Sequence, residues 1–219
     1  MARQVLLIGG TGLVGRLVAD RLLTNSVEVY ALLRHSAGRR APEWHEQVAP
    51  PDEWPALARR IGGDVAVSAL GTTSRAAGSD AAFRAVDFGM VTEFAQAARE
   101  GGVRHMVTVS SVGAEPDSRL FYPRLKGEME VALGEIGFDR LDIIRPGLLR
   151  GKRGADRRLG ERIGILVSPA VNPFLRGRLD RYAAIDATTV ADAIAVLIGQ
   201  DSPGRFVHHN RDLHRLARG

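Results

Sequence analysis

The chain has 219 residues, 45% of them apolar and 25% charged, with a net charge of +5 and no cysteine. That length and composition fit one globular domain with a filled core, and they exclude a disulfide scaffold, thiolate chemistry and cysteine metal sites. No apolar stretch reaches the roughly 20 residues that span a bilayer, and Met1-Ala2-Arg3-Gln4 runs straight into an apolar segment, so a cytoplasmic protein with no membrane contact is expected.

Val5-Leu6-Leu7-Ile8 reads as a buried strand. It leads into Gly9-Gly10-Thr11-Gly12-Leu13-Val14-Gly15 and then a helix whose apolar residues Leu13, Val14, Leu17, Val18 and Leu22 recur at helical spacing. Glycine permits positive φ and lets a pyrophosphate approach the main chain. The free N–H groups at the helix start, with the positive end of its dipole, favour phosphate oxygens. Strand, glycine turn and helix together predict a dinucleotide-binding turn made by Gly9, Thr11, Gly12, Leu13, Val14 and Gly15.

Val27–Leu33 reads as the second strand. Residues 34–51 are loop-like, with at most a short strand near Gln47–Ala49, and Asp52–Ile61 forms a short helix. Val65–Leu70 is a strand ending in Gly71-Thr72-Thr73. Asp80–Glu100 reads as one long helix with Phe83, Val86, Met90, Phe94 and Ala97 toward the core. Val103–Ser110 is a strand, a helix with Pro123 near its start runs to about Ile136, and Leu141–Ile144 is a strand closed by Arg145-Pro146-Gly147. From Leu148 the pattern loosens, and residues 148–181 read as a substrate-side segment. Asp186–Gly199 is the last long helix, capped near Asp186 and Thr188, and Arg205–His208 a short final strand. His208, His209 and His214 read as a solvated tail, since no carboxylate spacing supports a metal. This alternation predicts an α/β fold, a doubly wound parallel sheet of the Rossmann type with a small C-terminal lobe, in one domain over residues 1–219.

Nearly all the cations are arginines, Lys126 and Lys152 being the only lysines. They are scattered, and the densest stretch, 150–158, lacks interleaved aromatics, which argues for a solvated surface and against nucleic acid. One arginine has a specific place. The residue closing the second strand of a dinucleotide fold meets the adenosine ribose, where an acid favours NAD. Here that residue is Arg34, with Arg39 and Arg40 nearby, and a guanidinium suits a 2′-phosphate. NADP is expected over NAD.

Tyr122 and Lys126 stand four apart on one helix face. An ammonium near a phenol stabilises the phenolate and prepares the tyrosine for proton transfer to a carbonyl oxygen. The preceding strand delivers Ser110-Ser111 to the carboxyl edge of the sheet, where such folds bind ligands.

These segments resemble the atypical short-chain dehydrogenases/reductases with a Gly-x-x-Gly-x-x-Gly turn, and among them the small oxidoreductases related to the human Tat-interacting-protein tumour suppressor. The resemblance rests on Gly9–Gly15, Ala69-Leu70-Gly71-Thr72-Thr73, Phe83-Arg84-Ala85-Val86-Asp87, Val109–Ala114, Tyr122–Glu128 and Ile144-Arg145-Pro146-Gly147, and covers about residues 5–198. It implies Tyr122 as acid/base and Lys126 on the nicotinamide ribose. It implies Ser111 as the catalytic serine with Ser110 as fallback, the backbone of Leu70, Gly71 and Thr72 beside the cofactor, and Pro146 near the nicotinamide. One departure is Ala49-Pro50-Pro51-Asp52, where many relatives place an acid for the adenine amine directly after the strand.

The leading expectation is an NADP-dependent oxidoreductase acting on a small carbonyl or alcohol. The resemblance also keeps a non-enzymatic NADPH sensor with a protein partner in view. A nucleotide-sugar epimerase or dehydratase holding NAD is disfavoured by Arg34 and by the short stretch 150–181.

Overall fold

Parallel strands buried on both faces need apolar side chains pointing both ways, and the central strands here have them. The computed structural model describes residues 3–71, 78–151 and 177–219. Its main sheet comprises β1 (Gln4–Ile8), β2 (Glu28–Leu33), β3 (Trp44–Val48), β4 (Val65–Ser68), β5 (His105–Val109), β6 (Arg140–Ile144) and β9 (Gly204–His208). Its seven strands pair in parallel, in the order β3-β2-β1-β4-β5-β6-β9. A separate two-stranded parallel sheet joins β7 (Leu149–Arg150) to β8 (Ile185–Asp186), at the two ends of the expected substrate-side segment; residues 152–176 of that segment lie outside the described residues.

Alternation along β1 sends Val5 and Leu7 to one core layer and Leu6 and Ile8 to the other. The first layer packs under α1 (Leu13–Thr24), α6 (Ala187–Ile198) and α7 (Asn210–Leu216). The second packs under α2 (Trp54–Ile61), α4 (Val91–Glu100) and α5 (Phe121–Glu135). The doubly wound expectation holds.

Three local expectations are corrected. β3 begins at Trp44, earlier than the sequence pattern places it. As an edge strand it buries little beyond Trp44, so its polar residues conceal it; His45 stacks on Tyr30 with ring centroids 4.5 Å apart and bonds Glu28 at 2.6 Å. The helix expected over 80–100 is three consecutive pieces: α3 (Asp80–Arg84), a π-helical segment (Ala85–Met90) and α4. The wider π turn advances the inward face by a residue, so Val91 is buried where Met90 is only half-buried; Asp87, four residues past the buried Phe83, is 1% exposed and Val86 half-buried. Asp186 does occupy the N-cap of α6, but its side chain makes no capping bond and instead lies 3.7 Å from Arg150.

Of the C-terminal histidines only His214 is exposed as expected; His208 and His209 are half-buried and not part of a solvated tail. His208 ends β9, and its Nε2 bonds Oδ1 of the fully buried Asp142 at 2.7 Å. His105 Nε2 bonds Oδ2 at 2.8 Å, and Arg140 donates to both oxygens at 2.6 and 3.0 Å. A carboxylate only accepts, so each ring presents an N–H at Nε2. Burial alone would raise the Asp142 carboxyl; the hydrogen bonds from His105, His208 and Arg140, with the arginine's charge, outweigh it and hold the group well below the usual carboxylate range.

A depressed folded-state value stabilises the fold at pH above the unfolded carboxyl's value, about 4, and that stability drains away as pH falls toward the folded value. Asp142→Asn is therefore expected to cost roughly 3–5 kcal/mol at pH 7, because Arg140 loses its buried counter-charge, and to flatten the loss of stability between pH 5 and pH 2. Urea unfolding followed by circular dichroism across that range checks both.

Candidate functional site

Because the strands run parallel, their carboxyl ends gather at one edge. Gly9, Arg34, Ala69, Ser110 and Arg145 all follow strand ends in register there. The strand order reverses between β1 and β4, and a crevice outside the carboxyl ends at such a switch point is where open α/β sheets bind ligands.

The first turn is built without side chains. Gly9 has φ +80°, and a β-carbon there would stand 2.5 Å from the Ala69 carbonyl carbon. Gly12 is the N-cap of α1, its N–H donating to the Gly9 carbonyl at 2.9 Å. A β-carbon on Gly15 would lie 2.2 Å from the Gly9 oxygen. The turn thus folds against the start of α1 with exposed backbone at Thr11 and Gly12, a main-chain cradle suited to phosphates. Val14 points into the core, so only its N–H faces the turn. Leu13 is half-buried, beside Gly151 just past β7.

Arg34 stands exposed one residue past β2. The loop after it is held by Glu46, which accepts from the Ala37 N–H at 3.0 Å and from Trp44 Nε1 at 2.8 Å. Its slight desolvation is outweighed by these bonds and those from Ser36 and Arg39, which hold the carboxyl below its usual range. Arg39 is engaged elsewhere: it pairs with Asp20, donates to the Arg16 carbonyl at 3.0 Å and lies 5.2 Å over the Trp44 ring. Arg34 and Arg40 remain exposed in this loop.

Tyr122 and Lys126 lie in the first two turns of α5, and their environments are opposite. Tyr122 is 40% exposed, its ring edge-on to the buried Phe83 at 5.7 Å. Lys126 is 2% exposed, with Nζ 2.7 Å from Oδ1 of Asp87 on the π segment. The same oxygen lies 3.8 Å from where a Gly71 β-carbon would sit, so the pair abuts the turn after β4. Leu70 is half-buried against the α4/α5 core, and Thr72 lies outside the described residues.

The serines divide their roles. Ser110 is buried, and its Oγ donates to Oε1 of Glu130 at 2.5 Å. Ser111 is half-buried, its Oγ making one 3.2 Å bond to the Val112 carbonyl, which leaves its lone pairs unused in that bond. The chain beyond folds back onto α5: the Glu115 N–H donates to the Pro123 carbonyl at 3.0 Å, and a β-carbon on Gly127 would strike Pro116 at 2.2 Å.

Two organising residues escape the sequence reading. Glu130, 1% exposed, stands one turn beyond Lys126 and accepts from Arg145 Nε at 2.9 Å and Nη2 at 2.5 Å as well as from Ser110. It clamps α5 to the ends of β5 and β6; the clue was an acid in step with Tyr122 and Lys126. Asn210 is the other. Its Oδ1 accepts from Gly147 N–H at 2.9 Å, while Nδ2 donates to the carbonyls of Asp180 and Ala183 at 3.1 and 2.8 Å. Pro146 is buried, its carbonyl accepting from Val112 N–H at 3.0 Å, so the loop after β6 is fastened on both sides. His209 beside it is kept below the usual histidine range by burial and by the charges of Arg145 and Arg181. Among the described residues, no group of histidines and acids is arranged to hold a metal ion.

The glycine cradle, the free helix start and the Lys126–Asp87 pair, whose carboxylate faces Gly71, fit a dinucleotide. Comparison with known proteins agrees. A family model described as NAD(P)H-binding matches residues 9–162. The Aspergillus niger protein fmp52, mitochondrial, is 35% identical, over 99% of both chains. The Coccidioides immitis protein FMP52, mitochondrial, is 30% identical, over 97% of this chain and 95% of its own. Among solved structures, the oxidoreductase ylbE of Lactococcus lactis superposes with a TM-score of 0.66 at 19% identity, covering 99% of this chain and 97% of its own, a likeness of fold. The names of the two relatives overturn the expectation of a cytoplasmic protein. That expectation leaned on the lack of a bilayer-spanning stretch and on the first residues running straight into an apolar segment, neither of which distinguishes one compartment from another.

Gly15 lies inside α1, where helix propensity alone favours alanine by up to about 1 kcal/mol. The contact with Gly9 reverses that. Gly15→Ala is expected to destabilise the protein by about 1–3 kcal/mol, whereas Gly89→Ala, whose β-carbon would meet only the Arg84 carbonyl at 4.0 Å, is expected to be neutral or stabilising. Thermal unfolding of the two variants makes the comparison.

Proposed function

The chain belongs to the NAD(P)H-binding family, and from that premise we propose that it is an NADP-dependent oxidoreductase that interconverts a small carbonyl compound and its alcohol. One observation carries the reading: a buried cation, Lys126, one helical turn from an accessible tyrosine, Tyr122, at the edge where the glycine turn opens. A lysine placed for solubility would be exposed and its tyrosine buried; here the order is inverted.

The cofactor supplies the hydride donor or acceptor. This chain's residues do the rest. The main chain of Gly9 to Gly15 holds the phosphates, and Arg34 meets the 2′-phosphate in charge-assisted bonds. Ser111 hydrogen-bonds the substrate oxygen, Ser110 being committed to Glu130. Tyr122 gives that oxygen a proton as the carbonyl becomes an alcohol, or removes it in reverse. Lys126 donates to the nicotinamide ribose from one helical turn behind the tyrosine. Pro146 and the loop fastened by Asn210 bound the nicotinamide end. A protein that merely sensed NADPH would have no use for the exposed phenol.

NADPH oxidation against a panel of aldehydes and ketones tests the reaction. Tyr122→Phe is expected to lower kcat by roughly 100-fold or more while NADPH binding stays within about twofold; equal rates for the two proteins would exclude the phenol. Cofactor choice has its own check. Arg34→Ala is expected to weaken NADPH binding about tenfold, the equivalent of one charge-assisted contact, and to leave NADH binding unchanged.

A further inference from the structure

Asp87 has no role in the proposed reaction, yet it is 1% exposed and its carboxylate is 2.7 Å from Lys126 Nζ. It lies in the π segment, four residues past the buried Phe83, so a carboxylate occupies a place on the inward face of the helix. Its Oδ1 also faces Gly71, so the ion pair lies against the cofactor-side turn and not out in the helix layer.

The two oxidation states of a nicotinamide cofactor differ by one charge on the ring: the oxidised ring is cationic and the reduced ring neutral. An isolated ammonium nearby repels the oxidised form alone. An ammonium in contact with a carboxylate acts at a distance as a dipole, whose field falls off faster than that of a single charge, while its remaining N–H groups still donate hydrogen bonds. We propose that Asp87 is a positioning residue that cancels the charge of Lys126, so that the site can bind the oxidised cofactor as well as the reduced one. The inference rests on the cofactor reading given above. It explains why a buried pair is kept where an apolar pair of equal volume would be no less stable.

The test is a pair of equilibrium titrations at pH 7 and fixed ionic strength, NADPH followed by its fluorescence and NADP+ by calorimetry, with folding checked by circular dichroism. In wild type both cofactors bind. In Asp87→Asn the ratio of the NADP+ to the NADPH dissociation constant is expected to rise roughly tenfold, as for an uncovered charge in a partly screened site; Asp87→Glu, which keeps the carboxylate, brings the ratio back toward wild type. Lys126→Met removes the ammonium while keeping the carboxylate and is expected to move the ratio the other way, which decides the matter even if Asp87→Asn does not fold. A ratio unchanged in both charge-removing variants, or moved in the same direction by both, overturns the role of Asp87. Wild type binding neither cofactor overturns the cofactor reading and the inference with it, a result distinct from an unchanged ratio.

Discussion

Helix α5 carries two buried charges of opposite sign one turn apart, and the arrangement of the site follows from having to compensate both. A charge removed from water without a partner costs several kcal/mol or more, so Lys126 and Glu130 each dictate what must lie against them. Lys126 draws in Asp87 from the π segment; Glu130 draws in Ser110 from the end of β5 and Arg145 from the end of β6. Apolar packing by Met129 and Leu133 holds the helix to the sheet but would tolerate sliding. The charges do not, because each hydrogen bond has a length and a direction. Tyr122 inherits its place from this fastening, as does Ser111, next in the chain to the clamped Ser110.

A second buried cluster does comparable work at the far side of the sheet. Asp142, Arg140, His105 and His208 join three neighbouring strands, β5, β6 and β9, by side chains as well as by their backbone ladder. The edge strand β9 is otherwise poorly covered, with Arg205 and Val207 exposed. Its docking therefore leans on a polar cluster, and through β9 so does the placement of α7 and Asn210.

The parts of the molecule legible in the sequence are those governed by local rules. The glycine turn could be read because the need for absent side chains is written in residue identity, and the central strands because both of their faces are apolar. Tyr122 and Lys126 could be paired from helical spacing alone. What escaped depends on contacts distant in the chain. β3 hides its strand character because an edge strand with a half-wet face carries Glu46 and Gln47 as readily as valine. The π turn is invisible to helical periodicity, since one extra residue leaves most apolar positions plausibly placed. Glu130 and Asn210 look like ordinary surface residues until the strand ends they bond are brought beside them.

In the proposed reading, part of the wall at the nicotinamide end is backbone. A β-carbon on Gly147 would fall 2.1 Å from the Ala183 carbonyl oxygen, and the Gly147 N–H and the Ala183 carbonyl are both taken up by Asn210. Backbone surfaces cannot be reshaped one residue at a time, because every amino acid presents the same atoms. Divergence of substrate taste among descendants of such a chain is thereby channelled away from this wall: it has to proceed through side chains on the opposite rim, or through insertions that replace whole segments at once.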